Sequence, residues 1–194
     1  MDGVVGAVLA GGASRRFGAA KARAQLGGRP LLEYPLAAVR GSGMEAVVVA
    51  KPDSDLPPVS VARWDEPADP VHPLCGVVTA LERADGRPVV AVGCDMPFVT
   101  AELVAWLAAA PERLVVPRAG GRLHPLVARY DVSVLDDLRQ ALDQRLPLRT
   151  AVAALDARAV DEDELRRFGD PDRLTFNVNE PADLAEAERL LQDP

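Results

Sequence analysis

The sequence predicts an α/β fold of three layers, with helices on both faces of a mostly parallel central sheet. Short valine-rich runs alternate with segments of helical apolar spacing, which is typical of parallel sheets with crossover helices. The first predicted strand, residues 4–9, is apolar on both faces, as a central parallel strand should be. Ligands bind such folds at the carboxyl ends of the strands. The residues that follow Leu9, Val49 and Val92 are therefore the first candidates for a site.

The remaining elements are predicted from local patterns in chain order. Further strands are expected at 47–49, 59–62, 88–92, 114–116 and 126–130, and helices at 31–39, 76–83, 101–109, 132–144 and 181–191. Thr100 is placed to cap the helix at 101–109, and Gly120 and Gly121 to turn the chain between two strands. The acidic tract 161–164 is expected to be a solvated helix start.

Length and composition favour one globular domain that covers residues 1–194. Apolar residues make up 48% of the chain, enough for a sizeable core, and the formal charge is −7. That charge argues against a nucleic-acid-binding surface, because phosphate backbones are bound by an excess of lysine and arginine. It leaves room for a small phosphate site, since a local basic cluster can focus the field on one pocket.

Cysteine usage and the N-terminal residues point to the cytoplasm. Cys75 and Cys94 lack a CxxC spacing and are expected to be reduced thiols. The first residues carry no basic segment or long apolar stretch, so no signal peptide is expected. No apolar run approaches about 18 residues, so no membrane span is expected either.

A glycine-rich loop with three cations follows the first predicted strand. Gly11 and Gly12 let the backbone approach phosphates closely and direct its N–H groups at them. Arg15, Arg16 and Lys21 supply guanidinium and ammonium groups that suit a triphosphate. The loop is neither a Walker A motif nor a dinucleotide fingerprint, because Gly-Lys-Ser/Thr and GxGxxG are both absent. The alternative is a tight turn with solvated basic residues.

An acidic turn, residues 93–98, follows the strand at 88–92. Asp95 at that position is suited to hold Mg²⁺, a hard cation that prefers oxygen ligands and keeps phosphates nearby. Asp95 serves equally well as a cap for the turn, and the residue pattern alone does not separate the two roles. Cys94 is expected to be a small buried apolar residue and not a nucleophile.

Both segments resemble motifs of the molybdenum cofactor guanylyltransferase family. Leu9-Ala10-Gly11-Gly12, Arg16-Phe17-Gly18 and Lys21 match its signature loop, and Cys94-Asp95-Met96-Pro97 resembles its metal-binding turn. His72-Pro73-Leu74-Cys75-Gly76, His124-Pro125-Leu126 and Asn177-Val178-Asn179 are similar to three further motifs of the family, in the same order. The resemblance spans nearly the whole chain, from Val4 to about Leu190.

The resemblance implies transfer of GMP from GTP to molybdopterin, with release of pyrophosphate and with Mg²⁺ as cofactor. It implies catalytic roles for Arg16, Lys21 and Asp95, with Asp95 as the metal ligand. It places the nucleotide against Leu9, Ala10, Gly11, Gly12, Arg15, Lys21, Asp65 and Asp95, and the acceptor against His124, Asn177 and Asn179. Transient contact with other molybdenum cofactor proteins would accompany that function, and no nucleic-acid or membrane partner is expected.

Two positions depart from the family pattern. Ala20 stands where an acidic residue usually precedes the lysine, and Ala50 where an asparagine often contacts the nucleotide. They leave open a cytidylyl transferase, or a transferase that acts on a sugar or alcohol phosphate. A relative that binds nucleotide without turnover is a third alternative. Asn179 has a second reading of its own, as the cap of the last helix.

Overall fold

The central sheet has the mixed, mostly parallel order that the alternating pattern predicts. A computed structural model describes residues 3–11 and 20–192. The strands are β1 (Val5–Leu9), β2 (Gln25–Leu26), β3 (Arg29–Pro30), β4 (Glu45–Ala50), β5 (Ala62–Asp65), β6 (Val89–Gly93), β7 (Leu114–Ala119), β8 (Arg122–Leu123), β9 (Val127–Tyr130) and β10 (Arg158–Val160). The main sheet runs β10-β7-β9-β6-β1-β4-β5, with β8 paired to β7. β6, β1, β4 and β5 are mutually parallel, and β9 is antiparallel to both β6 and β7.

Helices cover both faces of this sheet, which gives the expected three layers. They are α1 (Glu33–Gly41), α2 (Pro73–Arg83), α3 (Ala101–Ala109), α4 (Leu135–Asp143), α5 (Leu148–Ala153), α6 (Glu162–Leu165), α7 (Pro171–Leu174) and α8 (Pro181–Gln192). α1 and α3 bury Leu36 and Leu103 against one face of the sheet. α2 and α4 bury Leu74 and Leu138 against the other. Both faces of β1 are thereby removed from water, which explains its apolar sequence.

Three differences from the predicted elements have a clear local cause. The strand expected at 59–62 is found at Ala62–Asp65, because that register pairs it in parallel with the end of β4. The helix expected at 132–144 begins with a single 3-10 turn, which Asp131 caps by accepting a hydrogen bond from Ser133 N at 3.0 Å. The last helix is capped by Asp183, whose carboxylate accepts from the N–H groups of Asn179 and Glu180. The Asn179 side chain donates instead to the carbonyl of Asn177.

The C-terminal segment is tied to the sheet near the predicted acidic turn. Val178 N donates to the backbone oxygen of Asp95 at 2.9 Å. Val178 and Ala187 also pack against Leu26 and Leu31, next to the β2–β3 hairpin. The closing asparagine motif is therefore held beside the carboxyl end of β6. Within the described part of the chain, no helix is both long enough and apolar enough to cross a membrane.

Candidate nucleotide-binding site

Three strand ends meet at one edge of the sheet, as the predicted topology requires. Leu9 is in register with Val49 on β4 and with Gly93 on β6. The chain beyond each strand therefore opens into the same space, a cavity of about 1040 Å³. Its described lining includes Leu9, Ala10, Gly11, Lys21, Asp95, Asn177 and Asn179, all of them candidate site residues.

Lys21 and Asp95 form an ion pair inside this cavity. The Lys21 ammonium lies 2.6 Å from Oδ2 of Asp95, and the two side chains are only 13% and 15% exposed. Lys21 begins a single 3-10 turn, and Asp95 follows the end of β6. Ala20 removes an acidic neighbour of Lys21, and Asp95, 74 residues further along the chain, supplies the carboxylate partner instead.

Two oxygen atoms beside this ion pair are buried without a hydrogen-bond partner in the part of the chain that the structure describes. They are Oδ1 of Asp95 and Oδ1 of Asn177. A buried polar atom without a partner is costly, so these two oxygens are available to accept from a water molecule or a ligand or to contact an ion. Carboxylate and amide oxygens are ligands that Mg²⁺ accepts, and it commonly takes one or two protein carboxylates together with substrate phosphates.

The other possible metal ligands are consistent with a site in which the protein supplies only some of the ligands. Over residues 3–11 and 20–192, no three histidine, cysteine, aspartate or glutamate side chains cluster in a way that could hold a metal by themselves. A metal held by Asp95 would complete its coordination with oxygen atoms of water or of a substrate. The residues fit a Mg²⁺–phosphate complex better than a resident metal ion.

Gly93 leaves room for the observed position of the Asp95 carboxylate. A Cβ atom built on Gly93 would lie 2.6 Å from Oδ1 of Asp95, closer than such atoms normally approach. The glycine at the end of β6 thus lets the carboxylate fold back over the strand end. Gly93 N also donates to the carbonyl of Leu126 at 2.8 Å, which fixes the turn to the neighbouring strand.

A second ion pair in the cavity has no counterpart among the sequence predictions. Lys51 and Glu66 are 7% and 3% exposed, with Nζ of Lys51 3.5 Å from Oε2 of Glu66. Lys51 also donates to the carbonyls of Pro67 and Pro70. Burial raises the pKa of the Glu66 carboxyl, and the positive charge of Lys51 partly offsets that effect. The sequence does place a lysine directly after β4 and a glutamate directly after β5, two adjacent parallel strands. This pattern can be recognised only when the position of β5 is known.

Asp65 is not brought to the cavity. Its carboxylate is 54% exposed and pairs with Nε of Arg63 at 2.9 Å, while the next residue, Glu66, lines the cavity. Successive residues of a strand point to opposite sides, so a difference of one position separates an outward carboxylate from an inward one. Ala50 at the end of β4 is fully buried.

The central part of the predicted phosphate loop cannot be compared with this geometry. Gly12, Arg15 and Arg16 lie outside the described residues. The flanking residues Gly11 and Lys21 both line the cavity.

The acceptor candidates are divided between two neighbouring pockets. His124 lines a smaller pocket of about 170 Å³, and Asn177 lines both this pocket and the main cavity. His124 contacts the carbonyl of Ala119 through Nε2 at 3.2 Å, and burial lowers the pKa of its imidazole. Arg149 also lines the smaller pocket and adds a positive charge that the motifs do not indicate.

His72 caps the helix that forms one wall of the cavity. Its Nδ1 accepts a hydrogen bond from Leu74 N at 3.1 Å, at the start of α2. Burial lowers the pKa of the ring, so the neutral form that can accept this bond is favoured in the folded state. His72 therefore has a structural role at the start of α2.

Loss of this cap should be measurable as a change in stability. Replacing His72 with alanine is expected to lower the free energy of unfolding by about 1 kcal/mol at pH 8. Because folding lowers the pKa of His72, the unfolded chain takes up its proton first as the pH falls. The cap's contribution is therefore complete above the ordinary pKa of about 6.5 and declines below it.

Urea unfolding at pH 8 and at pH 5.5 measures this effect. The His72→Asn variant keeps a capping oxygen without the titration, and His124 is unchanged in both proteins. The free energy of unfolding of the native chain, relative to that of this variant, should be lower at pH 5.5 than at pH 8. A relative stability that does not change with pH would refute the capping role of the neutral ring.

The edge of the parallel sheet carries a lysine–aspartate pair and two buried oxygens without a described partner, and these features indicate a class of protein. Together with a glycine-rich loop after the first strand, these features are those of a nucleotidyltransferase. The chain matches the model of the MobA-like NTP transferase domain over residues 6–160. It therefore belongs to the MobA-like NTP transferase family, and the resemblance to molybdenum cofactor guanylyltransferases is confirmed.

Relatives of known name support this assignment. The chain is 35% identical to a molybdenum cofactor guanylyltransferase of Rhizobium leguminosarum bv. trifolii, over 97% of this chain and 93% of that protein. It is 32% identical to a probable molybdenum cofactor guanylyltransferase of Bacillus licheniformis, over 93% and 94% of the two chains. The crystal structure of molybdopterin-guanine dinucleotide biosynthesis protein A from Archaeoglobus fulgidus superposes with a TM-score of 0.82 at 26% identity, covering 98% of this chain and 100% of that one.

Proposed function

We propose that this protein transfers GMP from GTP to molybdopterin, with release of pyrophosphate, in a Mg²⁺-dependent reaction. The observation that carries the proposal is the Lys21–Asp95 pair at the end of β6, beside two buried oxygens that lack a described partner. The names of the Rhizobium and Bacillus relatives support the guanylyl donor and the molybdenum cofactor acceptor.

In this proposal each residue acts through position and charge. Lys21 moves its ammonium from Asp95 to the oxygens of the triphosphate and neutralises charge that builds on the departing pyrophosphate. Arg15 and Arg16 would add guanidinium groups to the same phosphates. Asp95, with Asn177 beside it, would hold the metal. Mg²⁺ supplies charge stabilisation and orientation at the phosphates when it is bound.

The acceptor needs no general base from the protein. An ionised phosphate oxygen of the acceptor can attack the α-phosphorus directly, so catalysis reduces to positioning and electrostatics. The smaller pocket beside the cavity would receive the acceptor. Asn177 lines both spaces, and His124 and Arg149 also line the smaller one. Asn179 lines the main cavity and would lie near the acceptor phosphate.

We further propose that residues 1–194 act as one domain in the cytoplasm. The backbone hydrogen bond from Val178 N to the carbonyl of Asp95 joins the C-terminal segment to the sheet, which supports a single domain. Cys75 and Cys94 are free, buried thiols, which fits a reducing compartment. The acidic net charge supports small-molecule substrates over nucleic acid, and passage of the product to other molybdenum cofactor proteins would require transient contacts.

Pyrophosphate release tests the proposal most simply. The purified protein with Mg²⁺ is given GTP, CTP, ATP or UTP, each with and without molybdopterin. Release is expected with GTP and only when molybdopterin is present. A preference for CTP would replace the guanylyl assignment with a cytidylyl one. GTP binding without release under any of these conditions would indicate a relative that has lost turnover.

A further inference from the structure

The two buried oxygens of the site that lack a described partner lie on two different segments of the chain. Asp95 follows β6, and Asn177 lies in the C-terminal segment before α8. Val178 N donates to the carbonyl of Asp95 at 2.9 Å, and this bond ties the two segments together. One hydrogen bond permits rotation about its axis, so it does not by itself fix the two side-chain oxygens relative to each other.

Phe98 and Phe176 form a second contact between the same two segments. Their ring centroids are 5.9 Å apart and their planes are inclined by 65°, an edge-to-face arrangement. Phe98 lies three positions after Asp95, and Phe176 directly precedes Asn177. The guanidinium of Arg173 also lies 5.1 Å from the centroid of the Phe98 ring. Edge-to-face pairs have a preferred geometry, so this contact restricts the rotation that the hydrogen bond permits.

Both rings pack on a small buried cluster that supports them from behind. Its fully buried members are Leu26, Leu31, Val178 and Ala187. Leu31 N donates to the carbonyl of Ala24 at 2.8 Å, directly after the 3-10 turn that Lys21 begins. Because buried side chains are closely packed, the cluster holds the rings in a fixed relation to the segment that carries Lys21.

The Asp95 and Asn177 oxygens cannot hold each other in place, because carboxylate and amide oxygens are both hydrogen-bond acceptors. Their positions therefore depend on the segments that carry them. Asp95 and Asn177 both line the main cavity, whereas neither Phe98 nor Phe176 is among the described residues that line it or the smaller pocket. The two rings are thus placed to act on the site through their neighbours in the chain.

We propose, resting on the proposed function, that Phe98 and Phe176 are positioning residues that hold Asn177 against Asp95, so that both oxygens serve one Mg²⁺–nucleotide complex. Their contact prevents the two segments from rotating about the bond between Val178 and Asp95. A displacement of about 1 Å at a reacting centre can lower a rate by about 100-fold, so a small rotation would matter. Loss of either ring removes this restriction but leaves the oxygens themselves in the chain.

The affinity for GTP with Mg²⁺, divided by the affinity in EDTA, tests this positioning without turnover. Calorimetry measures both on the full-length protein without molybdopterin. In Phe98→Leu or Phe176→Leu the ratio should fall by about 2- to 10-fold, the value of an aromatic pair. Affinity in EDTA should change by less than about twofold, because metal-free GTP does not use the two oxygens through a metal. Both affinities come from one sample, so the ratio does not depend on the folded fraction.

The kinetic constants give a second readout that lost stability would not produce. With molybdopterin and saturating Mg²⁺, kcat for pyrophosphate release should fall by about 10- to 100-fold in each variant, and KM for GTP should change much less. The double variant should lie within about twofold of the more impaired single variant. Two rings that act through their mutual contact are lost together when either is replaced, so their effects do not add.

The structure offers a matched control in a second aromatic pair. The rings of Trp106 and Phe168 have centroids 5.6 Å apart, and Arg158 lies 5.0 Å from the Trp106 ring. Neither ring is among the described residues that line the two pockets. Phe168→Leu therefore removes a similar contact away from Asp95, and its affinity ratio and kcat should stay within about twofold of native values.

Three results would overturn the inference and leave the proposed function intact. They are an unchanged ratio and kcat in both Phe98→Leu and Phe176→Leu, equal losses in Phe168→Leu, and additive effects in the double variant. A native protein whose GTP affinity and pyrophosphate release do not respond to Mg²⁺ would instead contradict the proposed function. The two kinds of failure are therefore distinguishable.

Discussion

Replacing Asp95 with asparagine is expected to lower the rate of pyrophosphate release by about 100- to 1000-fold. The substitution keeps the size of the side chain but removes the negative charge that faces Lys21 and would hold the metal. Loss of one preorganised electrostatic group at a reacting centre commonly has an effect of this size. The maximal rate at saturating GTP and Mg²⁺ is the quantity to measure, together with Mg²⁺ affinity by calorimetry.

A matched control separates this effect from a general loss of charge. Asp136→Asn removes an exposed carboxylate on α4 that pairs with Arg139, and it should leave the rate within about twofold. Circular dichroism should show that both variants fold. A near-normal rate in Asp95→Asn at saturating Mg²⁺ would remove Asp95 from the proposed metal site.

Replacing Lys21 with methionine is expected to weaken GTP binding by about 10- to 100-fold and GMP binding by less than about threefold. The long side chain is kept, and only the ammonium is lost. Its charge-assisted hydrogen bonds would go to the outer phosphates, which GMP does not have.

Calorimetric titration with GTP, GDP and GMP measures these differences directly. Arg87→Met is the matched control, since Arg87 is a surface cation paired with Glu45 at the opposite end of the sheet. Its three affinities should equal those of the native protein. Equal losses for GTP and GMP in Lys21→Met would contradict the assignment of Lys21 to the outer phosphates.

Local signals in the sequence are sufficient for much of the fold. The predicted bounds of α3 agree with the structure, because Thr100 supplies a capping oxygen to Leu103 N and the apolar run continues to Ala109. The convergence of Leu9, Val49 and Gly93 follows from the rule that parallel strands end at one edge. The position of β5 is harder to predict, because a short edge strand takes its register from its neighbour.

The site shows the same division between local and long-range information. Lys21 and Asp95 are indicated by short motifs, so they can be found from the sequence before their contact is known. The Lys51–Glu66 pair belongs to no motif and depends on the register of two strands. Asp65 and Glu66 are adjacent, and the pleat of the strand decides which of them faces the cavity. Sequence patterns identify the segments of the site more readily than the orientation of each side chain.

The central claim is that this chain moves a nucleotidyl group, and the fate of the α-phosphate tests it most directly. GTP labelled at the α-phosphorus is incubated with the native protein, Mg²⁺ and molybdopterin, and the products are separated. The label is expected in a guanine dinucleotide form of the pterin, while label at the γ-phosphorus should appear in pyrophosphate. Recovery of the α-label only in unreacted GTP, or of the γ-label on the pterin, would contradict nucleotidyl transfer by this site.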